Sequence, residues 1–179
     1  SYRVEDSYNV YINTAFGSVM NSSNLHQRNA DVSVRIGDYQ KDNTGEYMGG
    51  YGRGFYGAYG GANIPIENSK LAIAQSLWRI TNGKYNEAKE RYKLISNREA
   101  DTPRPPDFSQ ESIAQYKDEP LVIVDSSGWQ TKLKRISALF LSSDSIVDGT
   151  ASLSSSATRQ YFLDTEGRSI TQNHYLTQL

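Results

Sequence analysis

From Tyr8 to Phe16 the even positions carry Tyr8, Val10, Ile12, Thr14 and Phe16. The alternation returns at Ala30, Val32, Val34 and Ile36, with Asp31, Ser33 and Arg35 between. A period of two places one set of side chains on a buried face and the other in water, as in antiparallel strands covered on one side. Turn-forming residues at Gly17 and at Asn21 to Asn24 divide the stretch. The pattern therefore predicts an opening three-stranded β-meander over residues 1–45.

Past residue 66 the period becomes helical. Asn68 or Ser69 can cap a helix whose stripe is Ile73, Leu77 and Ile80, with Ala74 and Trp78 alongside, and Asn82-Gly83 is expected to end or bend it. A second helical pattern follows, with Tyr85, Ala88, Tyr92 and Ile95 on one side and Lys84, Glu87, Glu90 and Arg91 facing solvent. Closely spaced prolines make Asp101 to Asp107 a stiff connector. The apolar run Leu121 to Val124 fits either a short strand or an extended segment against the core. Asp125, Ser126 or Ser127 can then cap a third helix with Trp129, Leu133, Ile136 and Phe140 on one side. Trp78 and Trp129 are the expected anchors of this helical middle, residues 67–141.

Strand character returns over residues 142–179. Ile146, Ala151 and Leu153 are spaced through a Ser-rich run, Arg159 to Leu163 follows as a strand, and Thr171 to Leu176 completes a second meander. Tyr161 precedes Gly167 by the interval at which Tyr11 precedes Gly17, and each glycine suits a tight turn with positive φ. The echo reads either as an internal duplication or as two ordinary hairpins. The expected fold is α+β in a single domain, with two antiparallel β-meanders, N- and C-terminal, enclosing about three helices.

Residues 46–66 break both periods. Gly45 to Gly61 holds eight glycines interleaved with aromatic residues, and no regular element is expected to survive that composition. Gly52-Arg53-Gly54-Phe55-Tyr56-Gly57 matches a dinucleotide fingerprint in form, but more glycine follows where a helix would have to begin. Tyr51, Phe55, Tyr56 and Tyr59 are the candidate interaction residues, because aromatic rings on a pliable backbone offer contact area at little rotamer cost.

Charge and composition narrow the chemistry. Nineteen basic and twenty acidic residues nearly cancel, which argues against a nucleic-acid partner. No apolar run approaches the ~20 residues that span a bilayer. The chain opens at Ser1 inside a strand pattern, so a trimmed start, with any targeting peptide removed, is expected. There is no cysteine, and the only histidines are His26 and His174, one in each meander. Each reads as a surface or hairpin residue, and no metal site or cofactor is expected in this segment. No serine stands in a Gly-x-Ser-x-Gly setting. Asp164 and Glu166 share a strand face but sit at a hairpin tip beside Arg168, where a turn role outweighs a catalytic carboxylate pair. Asp38, Asp42, Asn43 and Glu46 lack calcium-loop spacing and read as a polar turn. No catalytic residue is assigned.

Several segments, in order along nearly the whole chain, carry a resemblance. They are Tyr2-Arg3-Val4-Glu5-Asp6, Ala15-Phe16-Gly17-Ser18, Val34-Arg35-Ile36-Gly37-Asp38-Tyr39 with Asp42-Asn43-Thr44, Leu77-Trp78, and Tyr161-Phe162-Leu163-Asp164-Thr165-Glu166-Gly167. Together they resemble the N-terminal domain of the TldD/PmbA family, called modulators of DNA gyrase and predicted zinc peptidases, and in particular an exported Bacteroidetes-type branch. The resemblance implies a two-domain metallopeptidase whose zinc-binding His-Glu-x-x-x-His motif lies beyond Leu179. It also implies export to the periplasm. What it leaves for this segment is a non-catalytic domain that packs with its own C-terminal domain and helps to enclose a peptide substrate or build a homo-oligomer. The alternative is a stand-alone module that binds peptide or glycan without hydrolysis. The Gly/Tyr-rich stretch departs from the family pattern and leaves any inherited substrate preference open.

Overall fold

Burial alternates at residues 10–14, 28–32 and 153–157 of the long strands in the computed structural model, which describes residues 1–44, 61–96, 106 and 109–179. The elements are β1 (Tyr2–Ala15), β2 (Ser18–Val32), β3 (Ala62–Asn63), α1 (Lys70–Ser96), β4 (Gln115–Lys117) and α2 (Ser126–Ala138). A 3-10 turn at Leu139–Ser142, β5 (Thr150–Leu163) and β6 (Ser169–Gln178) complete them. The fold is α+β. Strands from both ends of the chain flank a helical middle and join one six-stranded sheet in the order β3-β2-β1-β5-β6-β4.

Side-chain bonds give the register. Glu5 meets Gln160, Ser7 meets Thr158, and Thr14 meets the Ala151 carbonyl, so β1 and β5 run antiparallel. Ser155 to Thr177 and Asp164 to Arg168 set β5 against β6 in the same sense. β4 differs. Ser169 donates to Ala114 and Asp118 to Thr171, a stepwise progression that makes β4 parallel to β6.

Three sequence expectations are corrected by the strands and helices. The turn expected at Asn21 to Asn24 is absent, and β2 runs through it, so the N-terminal strands form one long hairpin. Ser22 accepts from Gln130 at 2.7 Å and Asn24 donates to Ser126 at 3.3 Å, so these turn formers are satisfied in an extended backbone. α1 likewise passes through Asn82-Gly83 without a break. Gly83 is exposed with no neighbour at its missing Cβ, while Ile73, Leu77, Ile80, Ala88 and Ile95 keep one stripe in phase on either side of it. Trp78 lies off that stripe and is 68% exposed, not a core anchor.

The chain divides into two compact units. In Glu5–Arg28, Tyr116–Tyr161 and Thr171–Leu179, the core is Val10, Ile12, Leu133 and Leu153, with Val124, Trp129 and Ala151 packed on it. Each fully buried aliphatic side chain there contributes roughly 1.5–3 kcal/mol. α2 presents Leu133 and Ser137 as its buried residues, whereas Ile136 of the expected stripe is exposed. Ser137 is drawn inward because its hydroxyl accepts from the Gly17 N–H at 3.0 Å. In Ser1–Val4, Asn29–Gln115 and Phe162–Ile170, the buried apolar residues are Ala30, Val32, Ile64, Ala88 and Ile95. There Thr81 on α1 donates to the Tyr2 hydroxyl.

No helix among the described residues is long and apolar enough to cross a membrane.

Candidate functional site

Charged residues at core parity mark the first cluster. Asp6 and Tyr8 stand in phase with Val10 and Ile12 on β1, and His26 and Arg28 stand in phase with Ala30 and Val32 on β2. Antiparallel pairing brings the four together. Arg28 donates to Asp6 Oδ2 at 2.8 Å, His26 Nε2 lies 2.6 Å from Asp6 Oδ1, and the Tyr8 and His26 rings stack at 4.0 Å. Asp6 and Arg28 are both buried. Burial, and then the Asp6 carboxylate, raise the Tyr8 pKa. Both oxygens of Asp6 are therefore engaged, and the cluster works as a charged clamp across β1 and β2. Sequence reasoning left His26 as a surface or hairpin residue and did not single out Asp6 or Arg28. The usable signal was opposite charge at in-phase positions of two adjacent strands.

The second cluster joins two of the resemblance-bearing segments. Asp38, Asp42 and Asn43 form a turn in which Gly37 pairs with Asp42. Asn43 accepts from Ile36 N–H at 2.6 Å, and Asp42 accepts from both the N–H and the hydroxyl of Thr44. From this turn Tyr39 donates to Glu166 at 2.6 Å. At the β5–β6 tip Asp164 accepts from the Glu166 and Arg168 N–H groups and from the Arg168 guanidinium, which also pairs with Glu166. Desolvation pushes the Asp164 pKa up, but the bonds from Arg168 and Glu166 outweigh it and leave the carboxyl below its ordinary value. Asp164 and Glu166 thus close a turn, as their position at the hairpin tip implied.

A third group sits beside β6. Asp118 accepts from Tyr116 and from the Asn173 N–H, and both bonds lower its pKa. Arg159 donates to the Asp118 and Glu119 carbonyls, and Val122 donates from its N–H to the Tyr175 hydroxyl. Asp125 caps α2 through Ser127, as expected.

The aromatic candidates Tyr51, Phe55, Tyr56 and Tyr59 lie outside the described residues. Among the described residues no three His, Cys, Asp or Glu side chains gather into a possible metal site. His26 is committed to Asp6 and Tyr8, and His174 is exposed on β6.

No protein-family model matches the sequence, and no curated protein matches it. Among solved structures, TldE from Thermococcus kodakarensis is similar at a TM-score of 0.43 and 12% identity, over 98% of this chain and 34% of that one. The chain thus spans about a third of that protein's length.

Proposed function

We propose that the chain acts as a non-catalytic, TldD/PmbA-like N-terminal domain that helps to form the peptide-binding groove or the dimer of a longer protein. The observation that carries this reading is the use made of the acidic residues in the resemblance-bearing segments. Asp6 is bound at both oxygens, Asp42 holds Thr44, Asp164 closes the β5–β6 turn, and Glu166 holds Tyr39 and Arg168. A general acid or base has to reach a substrate proton, whereas these carboxylates are spent on turns and strand pairs. The remaining parts of the proposal are a C-terminal domain, a zinc ion held there, a peptide substrate and export.

The test is the gene beyond the codon for Leu179, together with metal analysis of both protein forms. The reading expects a His-Glu-x-x-x-His helix downstream, with zinc in the longer protein and none in residues 1–179. A reading frame that stops near Leu179, combined with peptide or glycan binding by the 179-residue chain, would instead establish a stand-alone binding module.

A further inference from the structure

The two faces of the sheet carry different chemistry. In the unit built on Val10, Ile12, Leu133 and Leu153, α2 covers the face shown by the even positions of β1. Ser7 bonds Thr158 and Glu5 bonds Gln160, so the odd positions of β1 share the opposite face with the even positions of β5. Ser155 bonds Thr177 on the covered side, which puts the even positions of β6 on the open one. Ser22 and Asn24 turn to α2, which leaves Asn21, Ser23, Leu25 and Gln27 of β2 there as well. Among the described residues of this unit no helix lies on the open face, and Tyr11, Ser152, Ser154 and His174 are exposed on it.

From Ser7 to Ala15, Asn21 to Gln27, Ser152 to Gln160 and Gln172 to Gln178, the open positions contain no Asp, Glu, Lys or Arg. Glu5, bonded to Gln160, stands at the margin. Soluble surfaces ordinarily give roughly a quarter to a third of their positions to charge, and 22% of this chain is charged, so a whole face without one departs from the rest of the molecule. Tyr11, Leu25 and Leu176, at 39%, 55% and 60% exposure, and Ala15 are its scattered apolar members. The others are amides, hydroxyls and His174. Tyr11 lies across from Ser154 in the register set by Ser7 and Thr158, and Asn13 Oδ1 meets no donor.

We infer that this face binds a neutral polysaccharide. Amide and hydroxyl groups both donate and accept, as sugar hydroxyls do, so a glycan chain laid on the sheet leaves neither side with unpaired groups. The Tyr11 ring adds an apolar surface for the C–H side of a sugar ring, with its own hydroxyl at the rim. An anionic polymer would find no cation here to replace its counterions. A protein surface, including another part of a longer chain, fits poorly. Protein interfaces are about 56–58% non-polar and poor in serine, and covering these side chains without partners costs about 1–3 kcal/mol for each group left unsatisfied.

The inference does not depend on the reading frame beyond Leu179, and its failure would leave the downstream motif and the zinc content unchanged. The 179-residue chain is expected to bind a neutral member of an array of glucans, mannans, xylans and galactans, and to ignore polygalacturonate and dextran sulfate. Tyr11→Ala and Ser154→Lys are each expected to weaken that binding at least ~10-fold with far-UV circular dichroism unchanged, whereas Lys134→Gln, on α2, leaves it intact. A chain that binds no neutral glycan on the array overturns the inference, as does binding that survives both open-face variants. Retention of casein peptides in place of glycans, lost with Tyr11→Ala, would make the face a peptide surface. Glycan binding by the 179-residue chain that disappears in a longer protein would assign the face to a neighbouring domain, and would equally overturn it.

Discussion

Arg28 reaches Asp6 across the β1–β2 hairpin at 2.8 Å, and both side chains are buried in the sheet's covered face. Their charges stand where the alternation would place apolar residues. Pairing makes that tolerable, since a buried ion costs several kcal/mol on its own and much less when its partner is held at hydrogen-bond distance.

Removing one partner is therefore worse than removing both. Asp6→Leu or Arg28→Met alone is expected to cost about 3–5 kcal/mol, because each strands a buried charge. The double change Asp6→Leu with Arg28→Met should cost less than either single one. Urea unfolding of the four proteins checks this, and a double variant as unstable as the sum of the singles would show that the pair is not coupled.

The two tryptophans separate in the same assay. Trp129 packs on the Val10, Ile12, Leu133 and Leu153 core and carries Lys132 over its ring at 4.6 Å. Trp129→Ala should cost on the order of 3 kcal/mol, near the lower end for a tryptophan truncation because the ring is only partly buried. Trp78 is exposed on α1, so Trp78→Ala should change stability by no more than about 0.5 kcal/mol.

Glycine-to-alanine changes at the turns should rank by what the new Cβ meets. Gly167 has φ 96° and nothing within 4 Å, so Gly167→Ala bears only the left-handed strain of about 1–2 kcal/mol. Gly17, at φ 79°, adds a 3.3 Å contact with the Ala138 Cβ. Gly37, at φ 122°, would put its Cβ 2.1 Å from the Lys41 carbonyl oxygen. Thermal midpoints should therefore fall least for Gly167→Ala, more for Gly17→Ala and most for Gly37→Ala.

Acid should erase two carboxylate contributions. The hydroxyl of Ser127 and then the Gly128 N–H lower the pKa of Asp125, and the Tyr116 hydroxyl and Asn173 N–H lower that of Asp118. A carboxyl depressed by folding adds stability that is fully present above its unfolded pKa of about 3.9 and is lost as the pH falls through the folded value. Asp125→Ala and Asp118→Ala should thus unfold earlier than the parent protein at pH 7, and the gap should narrow towards pH 3. A gap independent of pH would assign both effects to packing.

What the sequence determined by itself was local. Val10, Ile12 and Thr14 alternate into the core as their spacing implied, Ser69 and Asp125 cap the helices, and Gly17 and Gly167 adopt positive φ at the hairpin tips. Each depends on a residue's own torsions or on partners a few positions away, so the pattern is visible in a short window. Tertiary structure decided the rest. Asn21 to Asn24 stay extended because α2 supplies Gln130 and Ser126 to the side chains of Ser22 and Asn24. Gly83 stays helical because the stripe on either side of it remains in phase, and Trp78 turns to solvent because it lies off that stripe. Asp6 is buried because Arg28 and His26 meet it from the neighbouring strand. Such outcomes depend on which side chains arrive from distant positions to satisfy a polar group, and that information is spread over the whole chain rather than carried by any one stretch of it.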